Sequence, residues 1–480
     1  MAVNARVLST PLCVDLDGTL IRSDLLLESL LLLVKRSPLY LLLAIGWLFR
    51  GGKARLKAEI AARVVLNPAT LPYNTELLAW LKAERAAGRE VWLCTAANER
   101  LAMKVAQHLD LFDGVMASNN EVNLAGPRKA AALVERFGQG AFDYCGNEWC
   151  DMAIWRCSRS AIVVNAPGSL VRQAGAQLSV ARVFPASGKK TWRVVLRALR
   201  PHQWAKNALV LVPLFAAHRA GDLGSITFGL AALVAFCLCA SSVYLLNDML
   251  DLEADRGHAR KAKRPFASGD LSITTGLLLA PALLLMAALI AAFLPMKFQV
   301  SLAAYYVLTL AYSTLLKRML LVDAVALAGL YTLRIIAGAG AVTVALSFWL
   351  LLFSVFLFLS LGFVKRYAEL DALRRQQQLH ALGRGYHVED LAVLQSFGTA
   401  AGYLSVLVLA LYINSPEIEP LYHRPKAIWM LCVLLLYWIS RVWMTAHRGG
   451  MHDDPVVYAL RDRVSLGLGV LAAITIVVAI

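Results

Sequence analysis

Apolar residues are spread unevenly along the 480-residue chain. Up to about residue 190 they come in short runs, such as Leu12-Cys13-Val14 and 90–94, that read as strands, with a helix expected over 98–109. From about residue 204 apolar stretches crowd together at 204–221, 226–246, 271–294, 298–315, 320–343, 346–364, 391–413, 425–446 and 464–480, the last being short. Most approach the ~20 residues a helix needs to cross a bilayer. The pattern predicts an N-terminal α/β domain over 1–190 and an all-α polytopic membrane domain of about nine transmembrane helices over 191–480. Residues 165–190 read as a linker leading into a basic interfacial helix. Inside the first domain, two apolar halves flank Lys35-Arg36-Ser37-Pro38, each too short to span. They predict a helical hairpin, either dipping into the membrane interface or buried against the core.

A hydrophobic share of 59% and a mean hydropathy of +0.59 exclude a soluble globular protein. The formal charge of +16 follows topology. Loops 247–270, 316–319, 365–390 and 447–463 hold most of the cations of the membrane half, among them Arg256, Arg260, Lys263, Arg318, Arg374, Arg384 and Arg461. The opposite side has mainly Arg219, Lys297, Arg424 and Lys426. This bias places the first domain and every polar motif on the cytosolic face, and it speaks for anionic lipid, not nucleic acid. Eight cysteines show neither CxxC nor zinc-ligand spacing, and the N-terminus has no cleavable signal pattern. Trp204, Trp429, Trp438 and Trp443 read as interface anchors, and Gly338 and Gly340 as sites of close helix packing.

Asp248, Asp251 and Asp255, in Asn247-Asp248-Met249-Leu250-Asp251-Leu252-Glu253-Ala254-Asp255, are spaced to share one helix face, where they can hold Mg2+ bridging to a pyrophosphate. Nine spans with this stretch after the second resemble the UbiA-type intramembrane prenyltransferase superfamily over about residues 195–480. Further motifs are Arg200-Pro201-His202-Gln203-Trp204-Ala205-Lys206-Asn207, Tyr312-Ser313 with Lys317 and Asp323, and Leu333-Arg334. The second aspartate-rich motif of that superfamily is reduced to Asp323, which is similar to the decaprenyl-phosphate phosphoribosyltransferase branch. That resemblance implies transfer of 5-phosphoribose from 5-phosphoribosyl diphosphate to a polyprenyl phosphate lipid, with Mg2+ as cofactor. It implies catalytic roles for Asp248, Asp251, Asp255 and Asp323, the first three as metal ligands. Asp323 would bind a metal-linked water or pair with Arg334 or Lys317. Substrate contacts fall to Lys206, Asn207, Asn247, Lys261, Arg264, Tyr312, Lys317, Arg334, Lys365 and Arg366. Arg384-Gly385-Tyr386 and His452-Asp453-Asp454-Pro455 lie on cytosolic loops and also resemble this branch. The alternative is prenyl transfer from a polyprenyl diphosphate to an aromatic acceptor, with a non-catalytic docking domain.

Asp15-Leu16-Asp17-Gly18-Thr19, delivered by the first strand, resembles the signature of haloacid dehalogenase-like phosphatases. The resemblance implies a Rossmann-like fold with a helical cap over about 22–85. Asp15 would be the nucleophile, Asp17 the general acid/base, and Thr95 and Lys129 phosphate ligands, with Mg2+ held by Asp15, Asp17 and Asp151. Asn147 stands where the family has an aspartate ligand. The fusion implies that the first domain dephosphorylates the transfer product to polyprenyl-phosphoryl ribose, a pentose donor for envelope glycans. An integral protein of the bacterial cytoplasmic membrane, with both sites facing the cytosol, is expected; homo-oligomeric assembly is left open.

Overall fold

A computed structural model of the protein describes residues 10–186, 191–258, 260–377, 385–415, 422, 424–451 and 454–479. It divides into two compact units, Met1–Leu199 with Leu245–Leu279, and Arg200–Tyr244 with Ala280–Ile480. The aspartate stretch therefore belongs to the same compact unit as the α/β domain.

The first unit is built on six parallel strands: β1 Leu12–Val14, β2 Val91–Asn98, β3 Gly114–Ser118, β4 Asp143–Gly146, β5 Ser160–Val164 and β6 Val180–Phe184. Their order is β3-β2-β1-β4-β5-β6, with Val14 opposite Leu93 on one side and Cys145 on the other. Every residue of β1 is buried, as its unbroken apolar run requires of a sheet covered on both faces. The chain leaves β1 for β2 on one side and returns to β4 on the other. This switch point opens a crevice at the carboxyl end of β1, and Asp15 is the next residue.

Between β1 and β2 the expected hairpin forms from α1 Leu25–Arg36 and α2 Leu39–Arg63. The Asp24 side chain caps α1 by accepting from the Leu27 N–H at 2.9 Å. Leu33, Ile60 and Val64 close the hairpin. Helix α2 breaks at Gly51-Gly52, where Gly52 adopts φ 65°, a conformation only glycine takes without strain. Before the break, α2 leaves Leu39, Leu42 and Phe49 exposed at 67%, 67% and 85%. After the break, Ala54, Ile60 and Ala61 are buried.

Among the described residues six helices are long and apolar enough to cross a membrane: Leu223–Leu250, Ile273–Ala292, Val322–Ala341, Phe348–Arg375, Val388–Ile413 and Trp429–His447. Met296–Thr314 and the shorter Arg463–Ala479 are helices at two further expected positions but fall outside this set, so six spans, against the nine expected, meet the requirement among the described residues. The stretch 204–221 differs from expectation: it is a 3-10 helix, Pro201–Leu211, followed by the short helices Val212–Ala216 and Arg219–Gly221. Pro201 and Pro213 bring no N–H, and His218 at φ 52° ends the run. In the second unit Val322–Ala341 is central, with 72% of its apolar window buried. A Cβ on Gly338 would stand 1.9 Å from the Val210 carbonyl oxygen, so the 3-10 segment rests directly on this helix. Trp443 departs from its expected interfacial position: it is 5% exposed and its indole N–H donates to Ser360.

Candidate active sites

At the end of β1, Asp15 accepts from the Lys129 ammonium at 2.9 Å through Oδ1, and Lys129 also donates to the Tyr144 hydroxyl at 2.8 Å. The Tyr144 hydroxyl donates to Asp151 Oδ1 at 3.3 Å, while Asp151 Oδ2 accepts from the backbone N–H groups of Asn147 and Glu148 at 2.9 Å each. Burial works against the charge of Lys129, but Asp15 and Asp151 hold its pKa above the ordinary value. Burial, followed by the Asp15 charge, pushes Asp151 up to about 6. Thr95 is fully buried in β2, its hydroxyl oxygen accepting from the Ala97 N–H at 3.0 Å. The Asn147 side-chain carbonyl accepts from the Thr19 hydroxyl at 3.1 Å.

Asp17 accepts from the Leu25 N–H at 2.8 Å, which ties the loop after β1 to the first turn of α1. Burial, then the charges of Asp24 and Asp15, push Asp17 up to about 8. Among the described residues no three acidic, histidine or cysteine side chains form a ready metal cage. The donor set nevertheless fits Mg2+: hard carboxylate oxygens crowd together, and their mutual repulsion is what a divalent cation relieves. Lys57, on α2 beyond the glycine break, donates to the Ala96 carbonyl at 2.5 Å and to Asn123 at 2.7 Å. Sequence motifs did not reveal Lys57 or Tyr144; strand position alone marks Tyr144, and nothing local marks Lys57.

The aspartate stretch does not form the single helix expected. Helix Leu223–Leu250 gives way at Asp251 (φ −105°, ψ 17°) to the short helix Leu252–Arg256. Asp248 and Asp255 are still brought together: both are buried, and one Arg264 nitrogen lies 3.1 Å from Asp248 Oδ1 and 2.6 Å from Asp255 Oδ2. A guanidinium thus stands where the carboxylates converge, and such an oxygen set fits Mg2+ equally well. Asp251 pairs with Lys35 of α1 at 2.7 Å. Asn247 is half-buried and Lys261 exposed.

In the second unit, Asp454 Oδ2 lies 2.8 Å from the Lys206 ammonium and 3.0 Å from that of Lys365, while Oδ1 accepts from the Tyr331 hydroxyl at 2.9 Å. Burial opposes the charge of Asp454, yet Lys365 and Lys206 hold it well below the usual carboxylate range. Arg334, 5% exposed, donates to Asn207, Tyr305 and the Leu330 carbonyl and lies over the rings of Tyr305 and Tyr331. Among the described residues no carboxylate ion-pairs with it. Among the described residues Lys206 and Lys365 share the Asp454 carboxylate while Arg334 has no ion pair, an arrangement rich in positive charge that suits an anionic ligand. Asp454→Ala is expected to lower stability by roughly 3 kcal/mol by stranding the buried Lys206 ammonium, read from thermal unfolding in detergent. A loss below about 1 kcal/mol would refute that dependence.

Asp323 is fully buried, pairs with Arg366 at 2.7 Å and accepts from the Tyr386 hydroxyl at 2.5 Å. The expected pairing with Arg334 is not what forms, because the three donor nitrogens of Arg334 are directed to other groups. Arg366 also donates to Tyr312 at 2.9 Å. Lys317 is half-buried on the turn Leu316–Arg318. Arg384, His452 and Asp453 lie outside the described residues.

Helices long and apolar enough to cross a membrane, together with a parallel α/β domain bearing a carboxylate–lysine site, define an integral membrane protein with a second, sheet-based domain. The chain belongs to the UbiA prenyltransferase family, whose model matches residues 208–460, and residues 12–139 match haloacid dehalogenase-like hydrolases. It is 37% identical over 473 residues to the uncharacterized protein y4nM of Sinorhizobium fredii, covering 98% of this chain and 91% of that one. Nodulation protein NoeC of Azorhizobium caulinodans is 36% identical over 272 residues, 56% of this chain and 87% of its own. A decaprenyl-phosphate phosphoribosyltransferase of Mycobacterium tuberculosis is 31% identical over 277 residues, 56% of this chain and 88% of its own.

Proposed function

We propose that residues 191–480 transfer 5-phosphoribose from 5-phosphoribosyl diphosphate to a polyprenyl phosphate, and that residues 1–190 then remove the 5-phosphate. The observation that carries the reading is the pairing of Lys206 and Lys365 on the carboxylate of Asp454 beside Arg334, which has no ion pair among the described residues, a group of cations suited to a phosphate that no metal neutralises. The mycobacterial relative, named a decaprenyl-phosphate phosphoribosyltransferase, supports the acceptor and the transferred group.

Mg2+, when bound, supplies charge neutralisation for the leaving pyrophosphate. Asp248, Asp251 and Asp255 would supply its oxygen ligands, and Arg264, which lies beside Asp248 and Asp255, would meet phosphate oxygens. The C1–O bond of the ribose breaks as a phosphate oxygen of the lipid bonds to C1. That oxygen is already ionised near neutral pH, so positioning and electrostatics suffice, and no general base is required. Asp323, locked by Arg366 and Tyr386, serves in this reading to position that helix end.

In the hydrolase domain Asp15 attacks the phosphorus of the 5-phosphate, the P–O bond breaks, and Asp17 gives the ribose oxygen its proton. Water then cleaves the aspartyl phosphate, with Lys129 and Thr95 holding the phosphoryl group. The exposed apolar arm before Gly52 would let this domain rest on the lipid surface that carries its substrate. Both sites would face the cytosol from the bacterial cytoplasmic membrane.

The test is purified protein with Mg2+, labelled 5-phosphoribosyl diphosphate and a polyprenyl phosphate. Metal-dependent labelled lipid is expected. No labelled lipid, alongside prenylation of an aromatic acid from a polyprenyl diphosphate, would replace this reading with the other.

A further inference from the structure

Helix α1 belongs to the hydrolase cap, yet one of its faces is fitted to the aspartate stretch within the same compact unit. Glu28 and Lys35 are seven residues apart, two helical turns, and so share that face. The Glu28 carboxylate takes both terminal nitrogens of Arg256, at 2.8 and 2.5 Å, with the two side chains 6% and 7% exposed. The remaining Arg256 nitrogen donates to the Ala267 carbonyl at 3.0 Å. Between these ends Leu31 and Leu32 line an apolar crevice with Met249 and Leu252. This buried anchor sets the register of α1 along the stretch and brings the Lys35 ammonium to 2.7 Å from Asp251 Oδ1.

The two pairs differ in kind. Glu28 and Arg256 are enclosed and hold the helix in place. Lys35 and Asp251 keep 34% and 28% of their side chains exposed, and a pair this open adds little to stability. A cation at the last turn of a helix is favourable for the helix dipole alone, but Arg36 meets that need on the same turn. What distinguishes Lys35 is its place on one of the three aspartates that would hold the diphosphate.

We propose that Lys35, supplied by the hydrolase cap, is a diphosphate-binding residue of the transferase site. With a metal-bound diphosphate at Asp251, its ammonium turns from the carboxylate to a phosphate oxygen. The inference rests on the reading of Asp248, Asp251 and Asp255 as the diphosphate aspartates. It makes the hydrolase domain part of the transferase.

The full-length protein in detergent tests it with Mg2+ and pyrophosphate as the probe, by calorimetry, and with kcat and KM for 5-phosphoribosyl diphosphate. Lys35→Met is expected to weaken pyrophosphate binding and raise KM about tenfold, with kcat within about twofold. Lys35→Arg should restore most of the affinity, Arg36→Met should change neither value, and Lys35→Met should cost nothing further in Asp251→Asn. Unchanged pyrophosphate affinity in Lys35→Met, or an equal loss in Arg36→Met, overturns the role of Lys35. Wild-type protein that binds pyrophosphate through Lys35 but transfers no phosphoribose overturns the substrate reading and leaves Lys35 standing. Wild-type protein that binds no pyrophosphate overturns both.

Discussion

Asp15→Asn should stop the second reaction and leave the first running, so that phosphoribosylated lipid still bearing its 5-phosphate accumulates. The carboxylate oxygen that would attack phosphorus is lost, while the amide keeps an acceptor for Lys129, which sits 2.9 Å away and 3% exposed. Loss of a nucleophile costs at least about 10³-fold in turnover. The measurement is the ratio of phosphorylated to dephosphorylated lipid after a timed incubation, with thermal unfolding as the control for folding. Equal conversion by variant and wild type would remove Asp15 from the chemistry and turn the domain into a docking module. Asn147 bears on this outcome: its carbonyl already receives the Thr19 hydroxyl at 3.1 Å, so it contributes loop order where a carboxylate would contribute charge.

The opposite selectivity is expected of Asp248→Asn and of Asp255→Asn. Each removes one negative charge from the pair that flanks Arg264, and each amide still offers an oxygen to the guanidinium. Transfer of labelled phosphoribose should fall by about 10²–10³-fold, the usual cost of losing one preorganised electrostatic partner. Hydrolysis of a soluble phosphate ester should stay within about twofold of wild type, because these aspartates lie outside the Asp15, Lys129 and Asp151 network. Transfer that survives within fivefold would exclude them as the diphosphate ligands.

These two results separate sites that differ in how visibly they are written. Asp15 could be placed from its neighbours alone: an unbroken apolar run makes β1 a central strand, and the following polar residues must lie at its carboxyl end. Lys129 and Thr95 followed from the resemblance of the later motifs to those of haloacid dehalogenase-like phosphatases. Asp454 was one polar residue among several in a basic loop until Lys206 and Lys365 were found to converge on it, the latter from 89 positions away. Asp323 was legible as an expensive buried charge, but its pairing with Arg366 was not foreseen. Trp443 has the composition of an anchor and the position of a core residue.

By itself the sequence determined the division into a sheet-forming half and a membrane-embedded half, the strand-end carboxylates and the clustering of cations in alternate loops. Each of these is a local pattern, carried by a period of two or 3.6, by run length, or by charge counted along a loop. Only the tertiary structure decided which charges meet. Lys35 reaching Asp251 across 216 positions, Arg256 enclosed with Glu28, and the surplus of cations around Asp454 depend on distance and burial. Neither quantity repeats along a chain, because both are set by how separate elements pack.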